Sequence, residues 1–218
     1  MESESVNNYQ PEISSVIIGN KANTLDDIFH YYYKHGLKTV NISSNLTMDK
    51  KLAIFHEDVS ERRMKHLIRD NILVLDEVLK NVPEDLTLNI EITRYESQKA
   101  KQNKLPNDIV IRYIMAVKKR GKKNVFYTSY DREIVRIIIK NRRESVLLID
   151  KEEDLKDLAI YPKICIHKDL LPKLSQELIN EKDISVHTVQ FGEELETLKL
   201  AYPFVKTWVT KYDFESKH

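Results

Sequence analysis

The 218-residue chain predicts an eight-stranded β/α barrel. Two observations carry this. Short β-branched runs alternate with helix-periodic segments almost to the end, as parallel strands covered by helices require. Nine strand candidates fall within about 200 residues, which suits eight barrel strands and one extra hairpin strand, and such barrels begin near that length. The same alternation also allows a doubly wound open sheet.

The elements follow in order. Residues 1–14 are polar and acidic and read as a disordered tail, with one domain over 15–213. Strands are expected at 15–19, 38–43, 52–56, 86–92, 124–128, 145–149, 163–167, 184–189 and 204–209. Within 24–35, Leu25, Ile28, Phe29, Tyr32 and Tyr33 recur at the spacing of one helical face, and Thr24 with Asp27 makes a start resembling a capping box. Pro106 suits the first turn of a helix over 106–120, and Asp131 suits the N-cap of the next. The last strand ends near residue 210, so the eighth helix is expected to be short or missing.

Composition narrows the function. The formal net charge is +1, so no broad basic field for nucleic acid is expected. The longest apolar runs are about five residues, far below the roughly 20 of a membrane span. The N-terminus lacks the basic and apolar regions of a signal peptide, and a reduced cytoplasm is the expected compartment. A single cysteine, Cys165, excludes an internal disulfide and reads as an inert core thiol between Ile164 and Ile166. Only 4 glycines are present, so glycine-rich phosphate loops cannot be numerous. The charged stretches at 118–123 and 151–156 read as solvated surface.

In a β/α barrel the chemistry lies at the C-terminal strand ends. Read in order, those ends give GNKANTL at 19–25, VNISSNLTMD at 40–49, LAIFHED at 52–58, LVLDEVL at 73–79 and LNIEIT at 88–93. YTSYD at 127–131, VHTVQ at 186–190 and VKTWVTKYD at 205–213 complete the series. This ordered set resembles the glycerophosphodiester phosphodiesterase family over residues 15–213. The resemblance implies a TIM-type barrel of the phosphatidylinositol-phosphodiesterase-like kind. It also implies two catalytic histidines acting as general acid and base, and three carboxylates around a divalent cation, Mg²⁺ or Ca²⁺.

Much of that machinery is replaced here. The first histidine position is Asn20, the phosphate-holding arginine is Lys21, and the acid that follows is Ala22. The first two metal carboxylates are Asn41 and Ser43, and the lysine after the third is Thr93. His56 stands at the second histidine position and Glu91 at the third metal position. The insertion that usually follows the second histidine is cut to residues 57–72. Asparagine cannot shuttle a proton near neutral pH, a loss of about 10²–10⁴-fold. A hard cation held by one carboxylate lacks its anionic oxygens.

The resemblance therefore implies a degenerate barrel without a bound cation, serving a protein partner or a small phosphate ester. A weakened or altered phosphodiester hydrolase of lipid metabolism, using His56 and Glu91, is the first alternative, and a ligand-free scaffold is the second. Glu91 is expected to pair with His56 or Lys21, and Lys21 remains a point charge for phosphate. His187 and Gln190 border a strand end, and His187 is expected to be an ordinary strand residue. Trp208 and Tyr212 read as packing residues, and His30, His35 and His66 as surface groups. One mouth is expected to gather Asn20, Asn41, Ser43, His56, Glu91 and Gln190.

Overall fold

A computed structural model describes residues 12–17, 25–34, 36–55, 61–69, 72–93, 106–190 and 192–211. The strands are β1 (Glu12–Ile17), β2 (Thr39–Leu46), β3 (Leu52–Ile54), β4 (Thr87–Ile92), β5 (Val125–Ser129), β6 (Ser145–Ile149), β7 (Lys163–His167), β8 (Asp183–Gln190) and β9 (Thr207–Lys211). Their order is β1-β9-β8-β7-β6-β5-β4-β2-β3, and β1 also pairs with β2. That last pairing, parallel with Val16 opposite Asn41, closes eight parallel strands into a barrel. β3 is the extra strand, antiparallel to the far end of β2. The open sheet is thereby excluded.

Around the barrel lie α1 (Leu25–Lys34), α2 (Met64–Arg69), α3 (Leu75–Asn81), α4 (Pro106–Lys119), α5 (Arg132–Lys140), α6 (Gln176–Glu181) and α7 (Glu193–Ala201). After β6 and β7 the chain makes only 3-10 turns, Glu152–Leu155 and Lys168–Lys173, and the short α6. Pro106 opens α4 as its fixed φ favours. Asp131 caps α5, its carboxylate accepting from Glu133 N at 2.9 Å and Ile134 N at 3.4 Å.

The hydrophobic core is the layer between strands and helices. Val40, Ile42, Leu88, Ile90 and Ile92 point outward onto α1, α3, α4 and α5, where Tyr32, Leu75, Tyr113 and Ile134 are buried. A second cluster on the other side gathers Ile149, Ile164, Ile166, Val186 and Trp208. Aliphatic side chains of this size contribute roughly 1.5–3 kcal/mol each when fully buried. Trp208 is fully buried, the packing residue the sequence suggests.

Alternation then sends the neighbouring residues inward. On β2 these are Thr39, Asn41 and Ser43; on β4, Thr87, Asn89 and Glu91. On β2 and β4 the lumen side is polar and the outer side apolar, so both strands alternate although both of their faces are covered, while Phe126 of β5, Val146 and Leu148 of β6 and Val209 of β9 give the lumen an apolar share.

Several boundaries depart from expectation. β1 begins at Glu12, three residues inside the stretch read as tail. β9 begins at Thr207, because Phe204 and Val205 turn inward to pack in the preceding loop, with Phe204 against Tyr202 at 6.0 Å between rings. Tyr33 is half-exposed instead of buried, and its hydroxyl donates to Asp85 at 2.9 Å. A hydroxyl at the edge of a helical face reaches solvent and a surface acceptor more readily than it enters an apolar core. The expectation of a short or missing eighth helix falls after Lys211, outside the described residues. No helix among the described residues is long and apolar enough to cross a membrane.

Candidate functional site at the barrel mouth

The C-terminal strand ends converge on one mouth. From β2 comes Ser43 and from β4 Glu91; their side chains meet, Ser43 Oγ donating to Glu91 Oε2 at 3.1 Å. Thr93 Oγ1 donates to the other carboxylate oxygen at 3.4 Å. One layer deeper, Asn89 Nδ2 donates to Asn41 Oδ1 at 2.8 Å. The strand register explains both contacts, since Asn41 lies opposite Asn89 and Ser43 opposite Glu91 across the β2–β4 pair. Burial raises the Glu91 carboxyl above its ordinary range, against the opposing effects of Ser43, the His187 imidazole and Thr93.

The far wall holds a second constellation. His187 on β8 faces inward and is buried, with Nε2 3.0 Å from Asp150 Oδ1 at the end of β6. The approach is close but poorly directed, and Nε2 has no well-aligned hydrogen bond among the described residues. Tyr130, just past β5, donates to the same carboxylate. Burial works against the Asp150 charge, but the contacts with His187, His167 and Tyr130 outweigh it and hold the carboxyl below its usual range. The rings of His167 and His187 meet edge to face, 5.6 Å apart. His167 Nδ1 in turn accepts from Asp169 N at 3.3 Å, which fixes that ring at the start of a 3-10 turn.

A β-bulge follows His187. The β8–β9 register shifts between Val186 and Val189, and Thr188 takes a left-handed φ of 66°. His187 looks into the lumen by the same alternation as Asp183 and Ser185, and the added residue lets Val189 join the outer core as Val186 does. Gln190 ends β8, exposed at the rim, its backbone N–H donating to Glu194 at 2.5 Å.

Four of the six residues expected at one mouth are therefore placed there or just beneath it: Asn41, Ser43, Glu91 and Gln190. Asn20 and His56 lie outside the described residues, as do Lys21 and Ala22. The expected pairing of Glu91 with His56 or Lys21 consequently falls there too; its described partners are hydroxyls. His187, expected to be an ordinary strand residue, faces the lumen by strand alternation and reaches Asp150, and Tyr130 and His167 join it unforeseen. Their signal was positional, since each ends or follows a strand at the barrel's C-terminal face. His30 and His66 are exposed, as surface groups should be. Cys165 is buried but borders the lumen and not the outer core; burial pushes its thiol up, away from the reactive thiolate.

Eight parallel strands thus close into a barrel, with β3 paired to β2 and Glu91 near the end of β4. The chain has the fold of the glycerophosphodiester phosphodiesterases. It is similar to one from Parabacteroides distasonis, with a TM-score of 0.70 and 14% identity over 92% of this chain and 93% of that one. The corresponding enzyme of Thermotoga maritima gives a TM-score of 0.64 and 15% identity over 92% and 94% of the two chains. A phosphodiesterase from Oleispira antarctica, solved with its product sn-glycerol-3-phosphate, gives 0.67 and 15% over 90% and 92%. No protein-family model and no curated protein matches the chain.

Proposed function

We propose that this barrel is a degenerate relative of the glycerophosphodiester phosphodiesterases, without their metal-dependent hydrolysis, that binds a protein partner or a small phosphate ester at its mouth. One observation carries the reading: the surroundings of Glu91. A divalent-cation site needs several anionic oxygens held apart by the ion. Here the flanking positions are Asn41, tied to Asn89, and Ser43, which donates its proton to Glu91 itself. Burial raises the Glu91 carboxyl, which favours the protonated form over the ionised one that a cation needs. Among the described residues no group of three histidines, cysteines, aspartates or glutamates could hold a metal ion. This donor set does not fit Mg²⁺ or Ca²⁺.

The His187–Asp150 contact favours a second reading, an altered phosphodiester hydrolase or lyase. A buried imidazole beside a carboxylate can exchange a proton with a substrate at the mouth, without a cation. One assay separates the two. Purified protein is incubated with glycerophosphocholine, with Mg²⁺, with Ca²⁺ and with chelator. No turnover under any condition is expected. Cation-dependent turnover would refute the proposal, and chelator-resistant turnover that disappears in His187→Gln would establish the second reading.

A further inference from the structure

Charge is spread unevenly along this chain. Residues 106–144 hold 11 lysines and arginines against 4 aspartates and glutamates, although the formal net charge of the whole is only +1. The stretch comprises α4, β5, α5 and the turn after each helix. β5 and β6 are paired neighbours and α4 packs beside α5, so the two turns lie side by side on the barrel's N-terminal face, opposite the mouth. The outer face of α4 exposes Arg112, Lys118 and Lys119, and the turn that follows exposes Lys123. α5 and its turn add Lys140, Arg142 and Arg143, exposed as well. None of these seven side chains is held in an ion pair or a side-chain hydrogen bond among the described residues. Of the acids around them, Asp76 and Glu144 are taken by Arg120 and Lys163. Asp131 caps α5, and Asp108 and Glu133 stand in the first turns, at the far ends of the helices. Glu84 and Asp85, on the turn before β4, offset only part of the surplus.

An apolar pair stands among these cations. Ile111 and Met115 are 36% and 56% exposed on α4. They lie one turn apart, with Arg112 beside them and Lys118 and Lys119 on the next turn, along one exposed stripe of the helix. We propose that this face is a docking surface for an anionic lipid bilayer, which the protein touches without crossing. Charge complementarity draws the bilayer, since each lysine or arginine near an anionic membrane surface strengthens binding about fivefold. The apolar pair decides between anionic partners. At a bilayer, such side chains enter the boundary between headgroups and acyl chains. A nucleic-acid backbone offers them no such environment. Bases would need an exposed aromatic ring to stack on, and Tyr113, the one aromatic residue of the two helices and their turns, is buried. The bilayer therefore meets the flank and base of the barrel and leaves the mouth, at the other end, open.

Co-sedimentation of the full chain with vesicles tests this. Vesicles of phosphatidylcholine alone are compared with vesicles in which about one-third of the lipid is phosphatidylserine. Binding to the anionic vesicles is expected to be tighter by about tenfold or more and to weaken as added salt screens the charges. Lys118→Glu with Lys119→Glu should weaken it by about tenfold or more. Ile111→Gln with Met115→Gln should weaken it by about threefold or more at unchanged net charge. All four side chains are exposed, so both variants should keep the melting temperature of the natural protein. Lys140→Glu with Arg142→Glu repeats the charge test if the first variant does not fold. A labelled DNA duplex is titrated in parallel. No preference for the anionic vesicles, or a preference unchanged in the charge-reversed variants, overturns the proposal. A duplex bound more tightly than the vesicles, and indifferently to the Ile111 and Met115 changes, overturns it in favour of nucleic acid. Vesicle binding that is indifferent to those changes overturns the role of the apolar pair. None of these readouts involves turnover or a metal ion, so they stand apart from the reading of the mouth.

Discussion

Glu91 is a carboxylate whose burial opposes its ionisation, and the sign of its effect follows. Its folded pKa lies above its unfolded value of about 4.3, so the folded chain binds the proton more tightly. Its stabilising contribution is complete at low pH and is lost as pH rises from the unfolded value through the folded one. Glu91→Gln keeps an acceptor for Ser43 and removes the charge. At pH 7 it is expected to raise the melting temperature by roughly 2–4 °C, as about 1 kcal/mol does in a domain of this size. The gain should disappear near pH 4, which thermal melts of both proteins across pH would check. A cation-binding carboxylate would behave oppositely, because its replacement would cost stability when the ion is present. Asp150 has the reverse sign. Its folded pKa is depressed, so its contribution is present above about 3.9 and lost as pH falls through the folded value. Asp150→Asn should lower stability at pH 7 by no more than about 1 kcal/mol, since half the side chain is exposed to screening solvent. The deficit should close in the same melts as pH falls through the folded value.

Among elements, the caps and strand alternation explain how much could be read in advance. Asp131 was legible because a carboxylate before a helix-periodic run has one obvious use. Asp131→Ala should cost about 1 kcal/mol and 2–4 °C, read by calorimetric melting. The strands β6 and β7 were legible to the residue, being β-branched runs bounded by charged residues. Harder to read was what faces the lumen. In TVNISS and TLNIEI every second residue is polar, a pattern that in an antiparallel sheet marks the solvent side. Here both faces are covered, so the polar residues line an axial cavity instead. The bulge at Thr188 was not legible at all. A threonine in a β-branched run carries no sign of a left-handed conformation. The 3-10 turn after β6 is a short charged stretch with no buried residue, and the one after β7 contains Pro172, which lacks the backbone N–H that a longer helix needs.

At the scale of the molecule, the barrel should accept the groups it lacks, because the outer core that holds it together is separate from the lumen that carries the substitutions. Asn41 and Ser43 project inward from β2, while Val40 and Ile42, which fix the strand, project into the outer layer. Asn20→His, Lys21→Arg, Asn41→Glu and Ser43→Asp together would place two further carboxylates beside Glu91 and return the first histidine. The variant should still fold, but with a lower melting temperature in chelator, because adjacent carboxylates repel and Asn89 loses its partner. Added Mg²⁺ or Ca²⁺ should then stabilise it by linkage. An ion at about 100 times its Kd contributes roughly 2.7 kcal/mol, which corresponds to about 5–10 °C at this chain length. The natural protein should show no such rise. Hydrolysis of glycerophosphocholine should return only weakly, because residues 57–72 are too short to rebuild the missing insertion, and a displacement of about 1 Å at the reacting atoms can cost 10²-fold. Melting curves of both proteins in chelator and in each cation decide the matter. An equal cation-dependent rise in the two would mean that the natural chain holds an ion by other ligands, and the degenerate reading would fall.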